Sequence, residues 1–125
     1  MDWNERRQRA AKTYREALSA CPNIVLPVEA PWTGRHAYHL FVIRILDRDR
    51  DSIAQQLALK GIQTVVHYPT PVHRQDAYRE LGLRQGTFPN SEEASQSILS
   101  LPFFPEISSS QIAQVAESLA GALRQ

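Results

Sequence analysis

The sequence predicts an α/β chain of the α+β type, a small sheet of about three to four strands packed by helices. Three observations predict it. Apolar stripes at helical spacing occupy residues 3–18 and 112–123, the two ends of the chain. Runs rich in β-branched and aromatic residues occupy 36–46, 62–66 and 98–101. A further helical stripe falls directly between the first two of those runs, an order that lays a helix against a sheet.

Taken in order, Trp3, Ala10, Tyr14, Ala17 and Leu18 recur at intervals of three, four or seven and share a face, with arginines opposite. Little capping sequence precedes this helix, and it stops at Cys21–Pro22 because a residue before proline avoids helical geometry. Ile24–Val25–Leu26 is a short apolar piece, and residues 27–34 are irregular. Residues 36–46 read as a long strand, with the apolar stretch from Leu40 to Ile43 implying burial on both faces. Residues 47–51 give an acidic helix start, and Ile53, Ala54, Leu57 and Ala58 form its stripe. Lys60–Gly61 ends that helix. Residues 62–66 follow as a second strand; the spacing leaves parallel and antiparallel pairing both open. After the loop His67–His73, residues 74–81 form a short helix closed by Gly82. Gly86 and Pro89 mark a turn, and residues 90–93 offer a capping box for the next helix. Residues 98–101 read as a strand ending at Pro102. Ser108 to Gln111 cap a last helix whose inner stripe is Ile112, Val115, Ala116, Leu119 and Leu123.

The chain has 125 residues, and no repeat, low-complexity tract or linker divides it, so residues 1–125 are expected to form a single domain. A net charge of +1 supplies no strong pull toward nucleic acid or membrane. Arg6, Arg7, Arg9, Lys12 and Arg15 crowd the first helix, but no stacking aromatics interleave with them, so RNA binding is not expected. One cysteine, Cys21, excludes an internal disulfide and a multi-cysteine zinc site. No run approaches the ~18 apolar residues of a membrane span, and no secretory signal opens the chain, so a cytoplasmic address follows by default.

Few residues can carry chemistry. The five glycines are scattered and build no phosphate loop. The two lysines, Lys12 and Lys60, lie on a charged helix and at a helix end, neither of them a buried setting for a Schiff-base amine. On a strand, His36 and His39 would face opposite sides and would not share a metal. The segment His67–Tyr68–Pro69–Thr70–Pro71–Val72–His73 differs in kind. Its two prolines fix two φ angles and remove two donors, giving a stiff loop at a strand end. Stiff loops in that place hold ligands well, because little entropy is lost on binding. From spacing alone it is equally a proline-built turn with locally bonded histidines. The one carboxylate near His67 and His73 in sequence is Asp76.

Trp3–Asn4–Glu5–Arg6–Arg7 opens a longer pattern. His36, Tyr38 and the run from His39 to Arg44 come next, then Gly61, Ile62 and Thr64. His67, Tyr68, Pro69, Pro71, His73, Gln75 and Tyr78 follow, then Phe88–Pro89, Ser91–Glu92 and the run from Ile98 to Pro102. In this order and spacing they resemble the C-terminal part of the DegT/DnrJ/EryC1/StrS family. Those are pyridoxal-phosphate-dependent aminotransferases acting on nucleotide-linked keto-sugars. The match covers essentially the whole chain.

The resemblance implies the small C-terminal domain of a fold-type-I aminotransferase. The cofactor lysine, the aspartate at the pyridine nitrogen and the phosphate-binding residues belong to a large domain whose motifs are not in this sequence. No catalytic residue and no cofactor are therefore expected on this chain alone, and pyridoxal phosphate is expected in the complete enzyme. The partners implied are the large domain or a second subunit of a homo-oligomer, and a nucleotide-sugar. His67 and Tyr68 are expected near that substrate. His73, Gln75 and Tyr78 join them or brace the loop, and Phe103 and Phe104 pack beneath it or stay exposed where the large domain docks. The alternative is a free-standing small-ligand or protein-interaction module using the same rigid loop.

Overall fold

The computed structural model describes residues 2–124. Its first helix, α1 (Trp3–Leu18), starts at Asp2, whose carboxylate accepts the Asn4 amide. Little capping sequence precedes the helix, yet this one residue suffices to start it, since one side-chain oxygen satisfies an orphan amide. Ala10, Ala11, Tyr14 and Leu18 form the buried face. Trp3 and Ala17, expected inside, are exposed. On the opposite side Arg7 donates to the Ala37 carbonyl at 2.8 Å, and Gln8 beside it to that of His36 at 2.9 Å.

The sheet has three antiparallel strands in the order β1 (Ile24–Val25), β2 (Phe41–Ile45), β3 (Ile98–Leu101). Ile24 faces Ile45 across one pairing, and Phe41 faces Leu101 across the other. The pairing left open between residues 36–46 and 62–66 does not arise, because β2 is flanked by β1 and β3. In β2, Phe41, Ile43 and Ile45 are buried while Val42 and Arg44 are half-buried, so the strand alternates rather than burying both faces. Arg44 reaches across the second face to Glu93 at 2.7 Å and Ser97 at 3.1 Å.

The long strand expected over 36–46 shortens at its start for a local reason. Tyr38 takes a φ of 46°, and its amide donates to the His36 ring instead of a sheet partner. His36 and His39 are therefore not on a strand. Residues 62–66 are not a strand either. They touch the sheet through one antiparallel bridge, Val65 to Ser100, while Ile62 is buried.

The second helix, α2 (Arg50–Leu59), begins at Asp49, whose carboxylate accepts from the Ser52 amide, and buries Ile53 and Leu57; Ala58 is exposed. Residues expected to form a helix over 74–81 make two 3-10 turns, Val72–Arg74 and Asp76–Leu81. Gly82 closes the second turn at φ 63°, a left-handed conformation that favours glycine. The third helix, α3 (Pro89–Ser97), starts on Pro89, whose missing amide costs nothing at that position. The capping box expected at 90–93 does not form. By contrast Ser108 and Gln111 make a full capping box at α4 (Ser109–Leu123), as expected.

Both α1 and α2 pack on α4. Ile112, Val115, Ala116, Leu119 and Leu123 all face inward, together with Ala122. Tyr14 stacks on Phe41 at 4.8 Å, and Phe103 lies 5.7 Å from Phe41. Burying each such large side chain contributes roughly 1.5–3 kcal/mol. The buried Tyr14 hydroxyl donates to the Pro102 carbonyl at 2.7 Å, so burial leaves no polar atom unpaired there. Phe103 thus packs against the core, and Phe104 is 41% exposed.

Candidate functional site

The rigid loop begins at the free edge of β3. Val65 and Ser100 exchange two backbone hydrogen bonds, at 2.8 and 3.2 Å, which fixes the chain two residues before His67. Ser100 then acts a second time: its Oγ lies 2.9 Å from His67 Nδ1. One buried serine therefore sets both the backbone entry and the imidazole orientation. The His67–Tyr68 peptide is cis, and the two rings meet edge to face at 5.7 Å. Tyr68 is 65% exposed, its phenol outside the protein body. With Thr70, Pro71 and Val72, these rings form one wall of a cleft of about 170 Å³, whose opposite wall is α3 and the start of β3.

His73 turns the other way. Its Nε2 sits 2.9 Å from Glu92 Oε1, and its ring packs edge-on against Phe88 at 4.9 Å. Glu92 also accepts the Gly86 amide at 2.8 and 2.9 Å. The Gly86 amide first, and the His73 bond second, hold the Glu92 carboxyl below its ordinary range. Gln75 donates to the Thr70 carbonyl at 3.4 Å, tying the loop to the turn after it. His73 and Gln75 line a separate cleft of about 360 Å³, shared with Arg79 and Arg84. Tyr78 is 42% exposed, beyond that turn. His67 and Tyr68 are thus brought together, while His73 stands apart from them.

Two residues that position this site were missed in the sequence. Ser100 had a usable signal, because a polar side chain inside a buried apolar strand needs a partner. Glu92 had none: its nineteen-residue separation from His73 is bridged only by the fold. A third cluster holds residues 29–38 to α1. The Tyr38 hydroxyl donates to Glu29 at 2.6 Å, and Arg15 meets the same carboxylate at 3.3 Å. Burial first, and the Glu29 bond second, push the Tyr38 phenol up to about 12.

Neither lysine fits an aldehyde cofactor. Lys12 lies on the outer face of α1 paired with Glu16, and Lys60 is the exposed C-cap of α2. An amine poised for Schiff-base chemistry needs a desolvated setting, or a cation beside it, to lower its pKa. Among the described residues no three histidine, cysteine or acidic side chains group to hold a metal ion. No helix among them is long and apolar enough to cross a membrane.

Comparison with known proteins gives a family match. The DegT/DnrJ/EryC1/StrS aminotransferase family matches residues 1–120. The chain is 45% identical over 107 residues to the erythromycin biosynthesis sensory transduction protein EryC1 of Saccharopolyspora erythraea, covering 86% of this chain and 28% of that protein. It is 37% identical over 117 residues to the dTDP-3-amino-3,4,6-trideoxy-alpha-D-glucose transaminase of Streptomyces venezuelae, covering 94% and 30%. In three dimensions it superposes on the crystal structure of S. venezuelae DesV in complex with a ketimine intermediate. That match has a TM-score of 0.89 and 36% identity, over 98% of this chain and 32% of DesV. The chain spans about a third of the length of the relatives it matches.

Proposed function

The chain belongs to the DegT/DnrJ/EryC1/StrS aminotransferase family, and we propose that it is the C-terminal, substrate-facing domain of a pyridoxal-phosphate-dependent sugar aminotransferase. The substrate class is a nucleotide-linked keto-sugar, and the domain acts with a cofactor-bearing large domain or with a second subunit of a homo-oligomer. The observation that carries this reading is the His67–Tyr68 wall, pinned at its base to Ser100 and open at its outer side.

Pyridoxal phosphate supplies the electron sink for amino transfer in the complete enzyme. The residues here do not fit that group, so the cofactor and its lysine are assigned to the other domain. This chain's part is binding and orientation. The Tyr68 phenol and the His67 imidazole hydrogen-bond sugar hydroxyls or diphosphate oxygens. The prolines at 69 and 71, with the Ser100 and Glu92 anchors, hold them in place before the substrate arrives, which lowers the ordering cost. His73, Gln75 and Tyr78 brace the loop or border the substrate.

Mixing the purified chain with pyridoxal phosphate tests the division of labour. No stoichiometric Schiff-base absorbance is expected, and borohydride should leave both lysines unlabelled. Near-stoichiometric labelling of Lys12 or Lys60 would overturn it.

A further inference from the structure

We propose that Ser100 is a positioning residue that fixes the tautomer of His67, so that the imidazole offers its substrate an Nε2–H donor rather than a lone pair. The inference rests on the reading of His67 as substrate-facing and deepens it. Ser100 is buried at 5% exposure, and among the described residues its hydroxyl meets one partner, His67 Nδ1 at 2.9 Å. A hydroxyl hydrogen shut away from water needs an acceptor, and Nδ1 is the acceptor present. The Ser100 hydroxyl therefore donates, Nδ1 accepts, and the ring proton resides on Nε2.

Nε2 itself pairs with no protein atom among the described residues, yet no buried side-chain nitrogen or oxygen lacks a partner. Nε2 is therefore reachable from outside, on the ring that lines the cleft beside Tyr68. An N–H donor selects oxygen acceptors: a sugar carbonyl or hydroxyl, or a diphosphate oxygen. The two backbone bonds between Ser100 and Val65 keep this geometry fixed, because the serine cannot shift without opening the bridge.

The test is a nitrogen–proton correlation spectrum of the histidine side chains of the isotopically labelled chain, recorded at pH ~8, above the ordinary imidazole range. His67 is expected as the Nε2–H tautomer. Ser100→Ala is expected to shift its ring-nitrogen resonances toward those of a tautomer mixture, and Ser100→Thr, which restores a hydroxyl, to return them. A His67 ring in the Nδ1–H form, or one unchanged by Ser100→Ala, overturns the proposal. Should Ser100→Ala fail to fold, the native spectrum and the threonine variant still decide. Because this reads the ring and not activity, it stays separable from whether His67 contacts a sugar. That second question is answered by substrate KM in an assembled enzyme.

Discussion

His73 Nε2 and Glu92 Oε1 lie 2.9 Å apart across nineteen residues of sequence, and that bond joins the end of the rigid loop to the first turn of α3. Glu92 gathers the Gly86 amide into the same junction. The loop is thus held at one end by Ser100 and at the other by Glu92.

Loosening the second anchor should be visible in acid. The Glu92 carboxyl is held below its ordinary 4.5, so it favours the folded state fully above that value. Its contribution is lost as pH falls through the lower folded value. Glu92→Gln should speed hydrogen exchange at the Gly86 amide near neutrality and flatten the acid dependence of the loop. An unchanged Gly86 exchange rate would show that Glu92 does not hold the junction.

Alkali should act through Tyr38. Its phenol ordinarily ionises near 10, but burial and the Glu29 bond push it up to about 12. The raised value means that the folded state holds its proton more tightly. The stabilisation is complete below pH 10 and fades as pH rises from there toward 12. Urea midpoints measured on either side of pH 10 should fall with rising pH. Tyr38→Phe should lessen that slope without abolishing it, since burial raises the Tyr14 phenol too.

The two candidate caps separate cleanly. Ser108→Ala removes a working capping box and should cost about 1 kcal/mol in a urea melt. Asn90→Ala alters an exposed residue inside α3 that caps nothing and should stay within about 0.5 kcal/mol. Equal effects at both positions would contradict the assigned helix starts.

How far the fold was legible in the sequence follows from which forces act locally. The α4 stripe from Ile112 to Leu123 and its Ser108 cap depend on neighbours within a few residues, and both were readable. So was β3, a short apolar run closed by Pro102. Residues 62–66 carry β-branched side chains, but a strand needs a paired partner along its length, and Val65 alone finds one in Ser100. Residues 36–40 have strand composition, yet His36 captures the Tyr38 amide and turns the backbone away. Trp3 keeps helical spacing but stays exposed at the first residue of α1. Of the candidate site, the stiff loop was visible from its prolines. Its anchors are tertiary: Ser100 signals only that it needs a partner, not which one, and nothing local marks Glu92.

The most direct measurement uses a chimera in which this chain replaces the matching third of the S. venezuelae transaminase, assayed with its nucleotide-sugar. The chimera should bind pyridoxal phosphate and turn over. His67→Ala and Tyr68→Phe should each raise the sugar KM by about five- to tenfold, the loss of one hydrogen bond, with cofactor binding unchanged. A folded, cofactor-loaded chimera whose sugar KM ignores both substitutions would contradict the assignment of this loop to the substrate.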